Sequence, residues 1–407
     1  MVNGKSFRWF GAVLLVCIAC LMNLAPGVSA AEKKEILLGA PLSLTGILAM
    51  DGEEQKWAYE QAVNDLNKKG GIPVKELGKK LPVKLVVADD ESTSGKAAAA
   101  VEKLIKIDKV DLLLSTHSTP LVLPTCVTAE KYKKYYHATT IWPPLWQEQK
   151  FKWSSVLFFT PMQGSEVPFL IWKSLPESDR PKNVALLMED SVDGQAFGGC
   201  FRDSAKKYGY TFVLDEPWAV GAKDYSSQIL KAKAKQVDAM LIFGSPQDSI
   251  TLVRQMKELG LSVKYLHGWK GTWTSEFWKA LGKDAQYVML DGFWSEDFPY
   301  PGAKELGERY TKKFQKRSVS TGLYYGLAQI LWQAVERAGS LDSAKVRNAV
   351  AGGEFKGTVM GDVKYDQTGV ALFESTGNQW WDGKQMLCYP PVPGGHKFKL
   401  APPWNKR

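Results

Sequence analysis

From residue 36 to residue 290, short apolar runs alternate with helix-period segments, and few architectures accept that order. Ile36-Leu37-Leu38-Gly39 reads as a strand, followed by a loop at Pro41-Leu42-Ser43-Leu44-Thr45-Gly46. The next segment puts Trp57, Ala58, Ala62, Val63 and Leu66 on one helical face and stops at Gly70-Gly71. A strand at 84–88 ends in the acidic turn Asp89-Asp90-Glu91. A helix carrying Ala97, Val101, Leu104 and Ile105 separates it from a third strand at 110–114. Past residue 180 the pattern resumes, with strands at 184–188, 211–214, 239–243 and 263–266. Helices at 194–207, 226–235 and 249–259 lie between them. Parallel strands need a long crossover, usually a helix, so this order predicts α/β architecture with mainly parallel sheets covered on both faces. The alternation forms two blocks, one before about residue 155 and one from about 180 to 290, with a helical stretch over 303–351 after them. Two sheets predict two lobes, which suits 407 residues. Ligands of such sheets bind beyond the carboxyl ends of the strands, so two facing lobes would line a shared cleft that closes about a hinge.

The first thirty residues are a separate object. Lys5 and Arg8 precede an almost wholly apolar run over 10–24, and Val28-Ser29-Ala30 supplies the small residues that signal peptidase requires. Residues 1–30 are therefore expected to be a cleaved signal peptide of a periplasmic protein. The apolar run is short for a membrane anchor and ends at Pro26-Gly27. A lipoprotein beginning at Cys20 is not expected, because Cys17 stands where the lipidation motif wants leucine. Intact-mass measurement of the exported protein should therefore find Ala31 or Glu32 at its start. A lipid-modified Cys20 would overturn that expectation. Cleavage also discards Cys17 and Cys20, leaving Cys126, Cys200 and Cys388, which allow one disulfide whose pairing spacing does not define.

The remaining residues argue against catalysis and nucleic-acid binding. G-x-S-x-G, H-E-x-x-H, the P-loop pattern and G-x-G-x-x-G are all absent. The four histidines, His117, His137, His267 and His396, are scattered without metal-ligand spacing, so neither a metal nor a cofactor is expected. Cys126 lies in the apolar context Leu123-Pro124-Thr125-Cys126-Val127, which suits an inert buried thiol. The formal charge of +9 is spread along helical stretches with no basic block, the pattern of solvated helix faces.

Two hydroxyl-rich segments stand at strand ends. Ser115-Thr116-His117-Ser118-Thr119-Pro120 follows the third strand and precedes a helix, and Ala138-Thr139-Thr140-Ile141-Trp142 follows the next strand-like run. Hydroxyls and free N–H groups at a helix start suit a carboxylate, although a plain N-cap has the same residues. Several of the 15 tryptophans fall in loops or at strand ends: Trp142, Trp146, Trp269, Trp273 and Trp294. Trp142 and Trp269 are the best placed to wall an apolar pocket.

These segments resemble a known family. The run from Ile36 to Gly46, Gly70-Gly71-Ile72, the Asp89-Asp90 turn, Lys103-Leu104-Ile105 ahead of Val110-Asp111, Gly357-Thr358-Val359-Met360-Gly361 and Tyr365-Asp366-Gln367-Thr368-Gly369 are similar in order and spacing to the leucine/isoleucine/valine-binding proteins. These are the type I periplasmic binding proteins of branched-chain amino-acid ABC importers. The resemblance implies a two-lobed Venus-flytrap fold with crossings near 159–160, 290–292 and 357–364. The lobes would be 32–159 plus 291–358 and 160–290 plus 359–407. It also implies a monomer that meets a small-molecule solute and ABC permease and ATPase subunits at the inner membrane.

By the same resemblance, a ligand carboxylate would be held by Ser118 or Thr119, with Thr119 favoured, and by the loop of Thr139 and Thr140. The second lobe would contribute Phe197, a position near Pro246-Gln247, and Trp269. At the family's acidic position, which receives an α-ammonium, this chain carries Lys270. A lysine there repels an ammonium in a closed cleft. The implied ligand is an organic acid lacking the amine, aromatic if Trp142, Phe197 and Trp269 face it. An ordinary branched-chain amino-acid binder and a ligand-presenting module for a chemoreceptor or sensor kinase remain open alternatives.

Overall fold

The computed structural model describes Met1 and residues 33–407, so the expected signal segment and its cleavage site lie outside the described residues. Among the described residues, two large sheets organise Ile36–Arg407. In the first, Ile36–Leu42 is central, with Val83–Asp89 on one side. On its other side Leu112–Leu114, Tyr136–Thr139, Ser154–Leu157 and Val370–Ala371 follow in that order, all parallel. In the second, Val184–Glu189 pairs with Phe212–Trp218 on one side and Ala239–Gly244 on the other. Tyr265–Lys270 and Met289–Gly292 continue it in parallel. The antiparallel pair Thr376–Trp381 and Lys384–Tyr389 closes the edge.

Helices on both faces explain why Val184–Glu189 and Ala239–Gly244 are buried along their whole length. Successive side chains alternate between faces. Ala185, Leu187, Met240 and Ile242 enter one core of the second lobe, while Val184, Leu186, Ala239, Leu241 and Phe243 enter the other. The first lobe has its own core, into which the helix Thr321–Ala338 sinks most of its surface.

Two details differ from the sequence reading. The strand expected to stop at residue 266 runs on through Gly268 and Trp269 to Lys270, because each pairs with a residue of Ala239–Gly244. The third crossing between sheets falls at residues 372–375, not near 357–364. The hairpin Glu354–Thr358 and Gly361–Lys364 buries Phe355, Val359, Met360 and Val363 in the first core, and Val370–Ala371 then pairs with Ser154–Leu157. The first lobe's share of the chain therefore extends past residue 358. Cys126, Cys200 and Cys388 are all free thiols. Burial pushes the Cys126 thiol well above its ordinary range, consistent with an inert residue.

Candidate functional site

In each sheet, strand order reverses beside the first strand of that lobe, and the loops there separate to leave a crevice at the carboxyl edge. On the first lobe these loops are 43–48 and 115–118. Their conformation is held from below: Gln55 Nε2 and the Tyr59 hydroxyl both donate to the Ser115 carbonyl, at 2.8 and 3.0 Å. Ser43 and Thr116 donate their hydroxyls to the buried Asp90 carboxylate.

The hydroxyls expected to hold a ligand divide into two groups. Thr139 Oγ1 donates to the Leu157 carbonyl at 2.7 Å, and Thr140 Oγ1 donates to the Thr139 carbonyl at 2.8 Å while accepting from Ser118 N–H at 3.1 Å. Both threonines are buried and engaged in bracing the loops. Ser118 and Thr119 remain partly exposed at the start of the helix Thr119–Tyr132. Gln247 is exposed in the first turn of Pro246–Glu258 and bonds to Thr251 on its own helix. That helix starts earlier than residue 249 because Ser245 and Asp248 form a reciprocal cap.

Trp142, Phe197 and Trp269 do meet across the lobes. Trp142 packs on Phe197 with ring centroids 5.8 Å apart, and Phe197 on Trp269 at 5.9 Å. Trp142 also lies against Phe158 and Phe159 in the first crossing, at 5.5 and 5.6 Å. Trp269 is fully buried and stacked on His267 at 3.8 Å, so it is a core residue as much as a wall. Trp146 and Trp294 are also core, with their indole N–H groups on Ser154 and on the Val359 carbonyl.

Lys270 does not point into solvent. Its ammonium lies 2.5 Å from the Glu189 carboxylate at the end of Val184–Glu189, the strand beyond Ala239–Gly244 in the sheet. Asp193 is close by: burial raises its carboxyl, while Lys270 and the indole N–H of Trp142 pull it back and Glu189 pushes it further up. Three of the braced positions, Ser118, Thr140 and Lys270, have φ of 68°, 53° and 66°. Left-handed backbone in non-glycine residues is uncommon and gathers at functional sites.

Beside this contact a cavity of about 460 Å³ lies between the lobes. The first lobe contributes Asp51, His117 and the turn Ser318–Ser320 before Thr321–Ala338, the second Trp273 and Trp278, and the end of the second crossing Phe293. Phe293 separates it from the Trp142 contact, packing on Phe158 at 5.2 Å and Trp273 at 5.3 Å. None of Ser118, Thr119, Thr139, Thr140, Trp142, Phe197, Gln247, Trp269 and Lys270 borders this space, although Trp273 and the neighbour of Ser118, His117, do. His117 is 6% exposed and bonds through Nδ1 to the Tyr324 hydroxyl at 2.7 Å. Its only sequence signal was its place inside a hydroxyl-rich strand end. Asp51, in the first turn of Ala49–Lys68, carried no signal at all.

Comparison with known proteins bears on this geometry. A family model described as periplasmic binding protein matches residues 35–373. The Leu/Ile/Val-binding protein BraC3 of Rhizobium johnstonii is 25% identical over 356 residues, covering 87% of this chain and 94% of the relative. A branched-chain amino acid transporter substrate binding protein, LivJ of Streptococcus pneumoniae, solved with isoleucine, superposes with a TM-score of 0.74 at 20% identity, covering 86% of this chain and 98% of that one. A solute binding protein of an ABC transporter from Rhodopseudomonas palustris, solved with 3,4-dihydroxybenzoic acid, gives 0.71 at 19% identity, covering 92% and 100%.

Proposed function

The chain belongs to the periplasmic binding protein family, and on that premise we propose that it is the extracytoplasmic substrate-binding subunit of an ABC importer, capturing a small organic acid or amino-acid-like solute between its lobes. The observation that carries this reading is the cavity of about 460 Å³ with walls from both lobes. Such a volume falls within the roughly 300–1,000 Å³ typical of small-molecule sites. A solute there touches both lobes at their strand-end loops, so its differential affinity favours closure about the three crossings. The solved neighbours support the size class: one carries isoleucine and the other 3,4-dihydroxybenzoic acid. Capture and release need no reacting group, and the closed form is what a permease and ATPase pair at the inner membrane would receive from the periplasm.

A thermal-shift screen of amino acids, aromatic acids, aliphatic acids and amides tests the reading, since a solute binding only the native state raises the melting temperature by mass action. At saturation with the best solute, small-angle scattering should give a smaller radius of gyration than for the free protein. An unchanged radius would argue for a rigid scaffold and against capture by closure.

A further inference from the structure

The interlobe cavity presents a carboxylate that the protein itself leaves unused. Asp51 lines it from the first turn of Ala49–Lys68 and makes no hydrogen bond or ion pair with the described residues. His117 and Lys316 act on it through space, and most of the other charged groups around it are engaged. Glu54 accepts the hydroxyls of Tyr310 at 2.7 Å and Ser320 at 2.5 Å, together with that of Ser318. Arg317 pairs with Glu296 at 3.1 Å and Asp297 at 2.7 Å, and Lys279 lies 3.8 Å from Glu276. His117 spends Nδ1 on Tyr324, and its second ring nitrogen has no partner among the described residues. With Arg317 and Lys279 occupied, Asp51, Glu53 and Glu54 face the space against Lys316, the lining cation in no ion pair among the described residues.

Trp273, Trp278, Phe293, Phe314 and Trp380 give the wall aromatic faces, between polar groups such as Thr274, Ser275 and Gln385. Ring faces attract cations and do not attract carboxylates. A half-buried carboxylate without a partner is unfavourable until an opposite charge arrives.

We propose that Asp51 is the counter-charge of the bound solute, which therefore carries a protonated or alkylated nitrogen held from the first lobe. The proposal rests on the solute occupying this cavity. It reverses the polarity implied by the resemblance, in which the acid that receives the nitrogen belongs to the second lobe. Lys316 borders the same space and is in no ion pair among the described residues, so a solute bearing both charges also fits. A solute bearing only a carboxylate could meet Lys316 but would leave Asp51 without a counter-charge, beside Glu53 and Glu54.

Calorimetric titration of the mature chain with phenethylamine, phenylalanine, 3-phenylpropanoate, leucine and 4-methylpentanoate tests this. The nitrogen-bearing probes are expected to bind, and their nitrogen-free partners to bind roughly tenfold or more weakly. Asp51→Asn should weaken the nitrogen-bearing probes by roughly tenfold or more, and Asp51→Glu should retain most of the affinity. The melting temperature of ligand-free Asp51→Asn should not fall, since no internal partner is lost. If the acids bind as tightly as the amines, or if Asp51→Asn changes nothing, the role of Asp51 is rejected while solute capture stands. If no probe binds, both the role of Asp51 and capture in this cavity are rejected.

Discussion

Replacing Lys270 by glutamate is expected to reduce folding stability by roughly 3 kcal/mol, the lower end of the range for breaking a buried charge pair. The Glu189 carboxylate is 1% exposed, whereas the Lys270 side chain keeps 40% of its surface. The pair is therefore half solvated on one side only, and the discount for solvent applies to the lysine. Glu189 also accepts the Ser191 hydroxyl at 2.9 Å, but its other oxygen, Oε2, is buried without a partner. Without the ammonium, that carboxylate is left uncompensated, and a second carboxylate beside it adds repulsion. Guanidinium unfolding of Lys270→Glu, Glu189→Gln and Lys270→Met/Glu189→Gln measures the coupling. The double variant should recover at least half of the loss, since replacing both partners removes the stranded charge. A Lys270→Glu protein within about 0.5 kcal/mol of the parent would show that the pair contributes nothing. Because Lys270 does not border the cavity, the same substitution should alter solute affinity less than it alters stability.

Stability should fall with acidification in a way that His137→Gln partly removes. Burial pushes His137 down to about 3, against a weaker opposing influence of the Leu327 backbone. His267 is likewise held well below its ordinary value by burial. Both rings are neutral in the fold, and each has one nitrogen buried without a partner. An unfolded histidine takes up a proton near pH 6.5. Below that pH the unfolded chain binds protons that the native state refuses, and each ring loses about 1.4 kcal/mol of stability per pH unit down to its folded pKa. Above it neither contributes. Asp291 acts in the opposite sense: burial raises its carboxyl well above the ordinary range. Its contribution is complete below its unfolded value and is lost as pH rises through the folded one. The clean readout is therefore a difference. Between about pH 6 and about pH 5, the parent should lose roughly 1.4 kcal/mol more than His137→Gln. Glutamine can keep a bond to the Tyr365 hydroxyl, which lies 2.7 Å from His137 Nε2. Parallel pH profiles for the two proteins would mean that His137 is protonated without penalty.

The lobes and most strands were readable because their signals are local. Val184–Glu189 and Ala239–Gly244 are unbroken apolar runs since helices cover both faces, and their limits moved by a residue or so. Tyr265–Lys270 was read short because glycine, tryptophan and lysine lack the apolar signature, yet all three pair in the sheet. The edge hairpin of Thr376–Trp381 and Lys384–Tyr389 was not anticipated: its polar and aromatic residues follow no clear period, and pairing with Met289–Gly292 is what makes it a strand. Thr139 and Thr140 were correctly placed at a strand end, but nothing in two adjacent threonines tells whether their hydroxyls face a solute or brace a loop. The positive φ at Ser118, Thr140 and Lys270 left no trace either, since none of them is a glycine.

Periodicity alone determined that this chain builds two mainly parallel sheets with helices between their strands, because the repeat of a helix or strand is a property of neighbouring residues. Charge pairing and cavity shape depend on residues far apart in the chain. Lys270 and Glu189 are 81 residues apart, and only the parallel pairing through Ala239–Gly244 brings their strand ends within reach of each other. Asp51, His117, Trp273 and Phe293 share one cavity because a helix start and three loop segments from two lobes converge there. That Lys270 meets the buried carboxylate of Glu189 is decided by the order of strands in the sheet, which no local pattern of residues carries.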